Sequence, residues 1–170
     1  HKDYDLTQQS DVRGMVETIL PDIVIHLAGL IGGLMANKDR PAEFYYQNMI
    51  SQTMMMHESF KINCEKYVTL MGGCSYPAQA ISPIVEEDMW EGYPQGESAP
   101  YSSAKKMNIV MSNAYRAQHK YNSIILIPGN IYGPYDNFDL RNSHVIPALI
   151  RKYHEAKERE ANKVVAWGSG

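Results

Sequence analysis

Cysteine is scarce in this chain. Cys64 and Cys74 are the only two among 170 residues, so no cysteine framework organises the fold. There is no Asn-x-Ser/Thr sequon, no leader-like segment and no long uncharged apolar run, so nothing asks for secretion or a membrane span. Charge of one sign is also lacking. A formal net charge of −3 is too mild to favour nucleic acid or an acidic membrane as partner. Repeats and low-complexity segments are absent, no set of metal ligands stands out, and the cytoplasm is the expected compartment. What the chain does have is 44% hydrophobic residues, enough for one sizeable core at this length.

The apolar pattern reads as strands alternating with helices. Residues 10–20 predict a short helix ended by Pro21-Asp22. Ile23 to Ala28 is a continuous, largely β-branched run, as in a strand buried on both faces, and Gly29 and Gly32-Gly33 follow as a flexible loop. A long helix is expected from about Pro41 to Asn63, with Pro41 in its first turn and an apolar face of Tyr46, Met49, Ile50, Thr53, His57, Phe60 and Cys64, widened by Met54, Met55 and Met56. Tyr67 to Met71 is the next strand. Residues 77–100 read as loop, and a helix runs from Tyr101 to about Tyr121. Ile124 to Ile127 is a third strand, residues 132–142 a second loop, residues 143–160 an amphipathic helix, and Val164 to Ala166 the start of a fourth strand. This alternation implies βαβ units: an α/β fold with a doubly wound parallel sheet, Rossmann-like. In such sheets ligands bind beyond the carboxyl ends of the strands.

One pair of residues already suggests chemistry. Tyr101 and Lys105 lie one turn apart on one helix face. An ammonium beside a phenol favours phenolate and lowers its pKa, which suits a proton carrier at a carbonyl or alcohol.

In order, the chain carries His-Leu-Ala-Gly at 26–29, Gly-Gly-x-Met-Ala-Asn at 32–37, Cys-Ser-Tyr-Pro at 74–77 and Tyr-x-x-x-Lys at 101–105. Pro-Gly-Asn-Ile-Tyr-Gly-Pro at 128–134, Asp-Asn-Phe-Asp at 136–139 and Asn-Ser-His-Val-Ile-Pro-Ala-Leu-Ile-Arg at 142–151 follow. With these blocks the chain resembles the GDP-L-fucose synthases, extended short-chain dehydrogenase/reductases of the NAD-dependent epimerase/dehydratase family. The resemblance implies that Tyr101 gives a proton to a keto oxygen. It also implies that Lys105 lowers the Tyr101 pKa and holds the nicotinamide ribose. Cys74 would be the base and His144 the acid that epimerise carbons beside the keto group. Asp5 and Leu6, within His1 to Leu6, would border the adenosine end. Ala28, Leu70, Met71, Gly72, Gly73, Pro128, Gly129, Asn130 and Ile131 would line the cofactor with Tyr101, Lys105 and His144. Lys152 and Trp167 would meet the sugar nucleotide. The implied reaction converts GDP-4-keto-6-deoxy-mannose to GDP-L-fucose, with NADP(H) favoured over NAD(H), in a homodimer.

Taken singly, each residue also admits a plain structural role. Cys74 reads as a small buried hydrophobe, His144 as a helix start, Asn130 as a turn residue, Trp167 as core, and His57 as core or interface. Two departures from the family pattern stand out. Gly72 occupies the position of the family's catalytic serine, leaving Ser75 or a water to hold the keto oxygen. The glycine-rich phosphate loop that precedes the first helix in this family is not in the sequence. The chain also opens without methionine and stops at Trp167-Gly168-Ser169-Gly170. It therefore reads as the middle part of a dinucleotide-binding domain, truncated at both ends, without the substrate domain and with little activity of its own. The alternatives are another NAD(P)-dependent nucleotide-sugar epimerase or dehydratase, or a non-catalytic nucleotide-binding relative.

Overall fold

The computed structural model describes residues 3–166. The order of elements is α1 (Gln9–Ile19), β1 (Ile23–His26), α2 (Leu34–Asp39), α3 (Pro41–Lys61), β2 (Lys66–Leu70), α4 (Ala99–His119), β3 (Ser123–Leu126) and α5 (Val145–Glu158). Short 3-10 turns occupy Gly73–Ser75 and Glu86–Trp90. The three strands form one parallel sheet in the order β1-β2-β3, with Ile25 opposite Val68 and Val68 opposite Ile124. The expected α/β class and parallel sheet are observed.

The core lies between the sheet and the helix pair α3–α4. Val24 and Tyr67 meet Val12 of α1 and Met55 and Met56 of α3, and Tyr121 closes the cluster. Three expectations change. β1 is buried on one face only, because no helix among the described residues packs over Ile23 and Ile25, which stay 55% and 63% exposed. The expected loop at Gly29 and Gly32-Gly33 is observed, but it ends in a helix not expected from the sequence, α2, whose Leu-Met-Ala run favours helix until Pro41 starts the next one. No strand forms at 164–166, where the carbonyl of Val165 takes a hydrogen bond from Lys152 Nζ at 3.0 Å.

The buried face of α3 takes only Met55 and Met56 from the apolar stripe that the sequence suggested. Phe44, Asn48, Ser51, Gln52, Met55, Met56, Glu58 and Ser59 are buried, whereas Tyr46 and Thr53 are exposed. Buried polar groups need partners, and α3 supplies them. Gln52 Nε2 donates to the Ala104 carbonyl, and Asn108 Nδ2 donates to Gln52 Oε1 at 2.7 Å. Glu58 receives Gln9 at 2.8 Å and Lys61 at 2.9 Å, with Arg13 at 3.5 Å. Burial alone pushes the Glu58 carboxyl up. The hydrogen bonds from Gln9, Lys61 and Arg13, with the Lys61 charge, outweigh that and bring its pKa to about 2.

Candidate active site

The strands all point their carboxyl ends at one edge, and the candidate residues gather there. Tyr101 and Lys105 sit in the first two turns of α4, which starts at Ala99 with Pro100 in its first turn. Gln52 and Asn108 lock this part of α4 to α3 from behind. Lys105 is 5% exposed, and burial lowers its pKa. Its Nζ reaches the loop after β1: a Cβ on Gly29 would stand 3.1 Å from Lys105 Nζ and 2.8 Å from Asn48 Oδ1. Only glycine permits that approach. Asn48, fully buried on α3, fixes the same loop by accepting from Leu30 N at 3.1 Å and donating to Leu30 O at 2.9 Å. His26, at the end of β1, is kept neutral by burial and by the nearby Lys105 charge, with a pKa of about 4.

Tyr101 departs from expectation. Burial pushes its phenol up to about 12, Cys74 adds to the rise, and Lys105 does not bring it down. The phenol is therefore held protonated, the form in which it can donate.

Cys74 is exposed, which sets aside the buried-hydrophobe reading. It lies in the 3-10 turn after β2, across from Tyr101. The point where a Gly72 Cβ would stand is 3.1 Å from Cys74 Sγ and 3.9 Å from Tyr101 Oη. Gly72 has φ −89 and ψ 147, an ordinary extended conformation, so its backbone does not require glycine. Ser75 does not replace the missing hydroxyl. It is fully buried and its Oγ donates to the Ser102 carbonyl at 3.2 Å, facing α4 rather than the cleft.

His144 precedes α5 and makes no side-chain cap bond, so it is not spent on starting that helix. It is exposed, and no hydrogen bond or ring contact among the described residues joins it to Tyr101, Lys105 or Cys74. Its loop is nonetheless docked on the loop after β1. Gly33 N donates to Asn142 O at 2.9 Å, and a Cβ on Gly33 would lie 2.5 Å from Ser143 O.

The cofactor-lining residues divide into three groups. Asp5, Leu6 and Ala28 line a cavity of ≈ 410 Å³ with Gly29, Tyr46, Gln47 and Ser51. The α3 residues of that wall were missed, because Tyr46 was assigned to the core face. Asp5 is held ionised by hydrogen bonds from the Thr7 backbone and hydroxyl. Gly73, Pro128 and Gly129 line a second cavity, of ≈ 750 Å³, with Tyr76 and Glu86. Leu70 and Met71 end β2, and the Met71 side chain is in the core, leaving only its backbone for a ligand. Asn130 and Ile131 follow β3 and are exposed. Lys152 is half-buried on α5 and engages Val165. His1 and Trp167 lie outside the described residues.

The chain is similar to known proteins in sequence and in fold. A GDP-L-fucose synthase of Sinorhizobium fredii is 42% identical over 166 residues, which cover 98% of this chain and 53% of that protein. A GDP-L-fucose synthase of Escherichia coli is 39% identical over 149 residues, covering 88% of this chain and 46% of that protein. The chain thus spans about half the length of the curated relatives it matches. Among solved structures, a GDP-D-glycero-L-gluco-heptose synthase from Campylobacter jejuni, in the presence of NADPH, superposes with a TM-score of 0.87 at 35% identity. That superposition covers 92% of this chain and 46% of the other. A GDP-L-fucose synthetase from Naegleria fowleri bound to NADP gives 0.86 at 29% identity, over 99% and 55%. The profile described as the NAD dependent epimerase/dehydratase family matches residues 2–170, and the chain belongs to that family.

Proposed function

We propose that the protein is an NADP(H)-dependent nucleotide-sugar epimerase/reductase acting on a GDP-linked 4-keto-6-deoxyhexose. The observation that carries this reading is the facing of Tyr101 and Cys74 across Gly72, with Lys105 behind them, at the carboxyl ends of parallel strands. The similarity to GDP-L-fucose synthases and to structures holding NADP or NADPH supports the substrate class and the cofactor.

The residues fit the nicotinamide end of a dinucleotide. The wall of Ala28 and Gly29 is held open by glycine, and Lys105 Nζ stands beside it to meet ribose hydroxyls. Asp5 and Leu6 border the far end of the same cavity. When bound, the dinucleotide supplies hydride. The chain's part is to place the keto group and move protons. Tyr101, protonated, gives its proton to the keto oxygen as charge develops there. Cys74 removes a proton beside the keto group and His144 returns one from the docked loop. Lys152 and Trp167 complete the sugar-nucleotide contacts.

The reading includes a homodimer and a cytoplasmic reaction. The outer face of α4 supports the first, since Val110 and Ala114 are exposed and Met107 and Met111 half-buried there, an apolar stripe turned away from Tyr101. No helix among the described residues is long and apolar enough to cross a membrane. The test is NADPH consumption by the full-length protein with GDP-4-keto-6-deoxy-mannose, followed by identification of the product sugar. Turnover to a reduced, epimerised sugar is expected. Absence of turnover with any nucleotide keto sugar overturns the reading.

A further inference from the structure

A keto oxygen gaining negative charge is best held by two donors, and Tyr101 is only one. The surroundings leave few candidates for the second. The Ser75 hydroxyl is fully buried and spent on Ser102 O. Ser102 is fully buried as well. Ser103 is two positions beyond Tyr101 on α4, so it points to a different side of the helix. Tyr76 lies with Glu86 and Ile84 in the cavity beside β3.

Cys74 is different. Its sulfur is exposed, and it stands 3.1 Å from the point a Gly72 Cβ would take, with Tyr101 Oη 3.9 Å from the same point. The sulfur occupies the ground that a side chain at position 72 would fill, beside the phenol. We propose that the Cys74 thiol is the second hydrogen-bond donor to the keto oxygen, standing in for the side chain that residue 72 lacks. This inference rests on the reductase reading above. It gives one sulfur two duties: as thiolate it takes a proton from carbon during epimerisation, and as thiol it donates during reduction.

The reduction step balances without covalent chemistry at sulfur. The carbonyl carbon gains the hydride as the reduced nicotinamide is oxidised. The carbonyl oxygen takes the Tyr101 proton, leaving phenolate. The S–H bond stays intact and only its hydrogen bond shortens. A thiol is a weak donor, so its contribution should fall below that of a hydroxyl.

The test uses the full-length protein and the reverse reaction, oxidation of the C4 alcohol of the product sugar nucleotide by NADP+. That direction needs no proton abstraction from neighbouring carbons. Cys74→Ala is expected to lower its kcat by about 10- to 100-fold, below the ~100- to 1,000-fold lost with a full-strength oxyanion donor. Cys74→Ser, which keeps a donor, is expected to hold the parental rate or exceed it. Adding Gly72→Ser to Cys74→Ala places a hydroxyl where no sulfur now stands and is expected to restore oxidation. Exchange of sugar protons with heavy water should stay lost in that double variant. Parental oxidation by Cys74→Ala, or no rescue by Gly72→Ser, overturns the inference and leaves the reductase reading intact. A parent inactive with any nucleotide sugar overturns both.

Discussion

On the face of the sheet covered by α3 and α4 stand Val24, His26, Tyr67, Thr69, Ser123 and Ile125, in register across the strands. On the other face stand Ile23, Ile25, Val68, Leu70, Ile124 and Leu126. The second set is the more apolar, yet it is the open one, with Leu126 48% exposed while Thr69 and Ser123 are fully buried. The covered face partners its hydroxyls at Ser123 and Thr69, while His26 Nε2 and Tyr67 Oη are buried without a hydrogen-bond partner. Ser123 shares a hydrogen bond of 2.6 Å with Ser112 of α4, Thr69 Oγ1 reaches His26 O at 3.4 Å, and His26 stacks on Tyr67. Burial here follows where α3 and α4 must lie to carry Tyr101 and Lys105, and hydrogen bonding follows burial at Ser123 and Thr69. Parallel sheets are ordinarily covered on both sides, so the aliphatic face is shaped for cover that residues 3–166 do not provide.

The difference between the faces can be broken by substitution, and the largest effect should be chemical. Tyr101→Phe or Lys105→Met in the full-length protein should reduce turnover by about 100- to 10,000-fold with substrate binding retained. Steady-state kinetics beside ligand titration checks this, and near-normal kcat in Tyr101→Phe would discard the proton-donor role. Next comes the polar seam behind the site. Gln52→Leu strands the Asn108 amide, and an unpaired buried donor costs about 1–3 kcal/mol. Denaturant unfolding should show that loss, and an unchanged midpoint would mean the seam is idle.

Glu58 should show itself only in acid. Its folded pKa lies below the unfolded carboxylate value, so its stabilisation is present above that value and fades as pH falls towards about 2. Glu58→Gln should therefore flatten acid unfolding across that window, which circular dichroism at stepped pH resolves. The smallest effect belongs to the open face. Ile25→Thr in this chain should change stability by no more than about 0.5 kcal/mol. A much larger loss for the same substitution in a longer form would measure the cover that the face acquires there.

The positions of three strands, the two long helices and the parallel sheet were legible, because β-branched runs and helical spacing are local signals. Tyr101, Lys105 and Cys74 could be singled out as candidates for the same reason, each sitting in a short block with fixed spacing. Depth was not legible. The stripe of Tyr46, Thr53 and His57 looked like core because apolar content was taken for burial, whereas Asn48, Gln52 and Glu58 are the buried residues. Their burial depends on partners 18 to 56 positions away, such as Leu30 and Asn108, which no window contains. The direction of the Tyr101 pKa was missed similarly: the neighbouring Lys105 is visible in sequence, but the desolvation that raises the phenol is not. One signal was available and unused. Asparagine and glutamine on an otherwise amphipathic helix, facing a glycine-rich loop, point to a polar clamp of the kind Asn48 makes.

The loop between Cys74 and Tyr101 closes on itself before it reaches either. Ala78 N donates to Tyr93 O at 2.9 Å, and a Cβ on Gly92 would stand 3.1 Å from Pro77, so the two ends of the loop touch. Lys106, 5% exposed, fastens this neck to α4 through Gly92 O at 3.5 Å and through the Trp90 ring at 4.9 Å. Residues 79–91 hang from this neck with their tip in solvent, Ile81 being 83% exposed, but Met89 is 1% exposed and Glu86 lines the cavity of Gly73 and Gly129. A substitution at the tip leaves the neck untouched, whereas Trp90 fixes the root of the segment to α4 through Lys106.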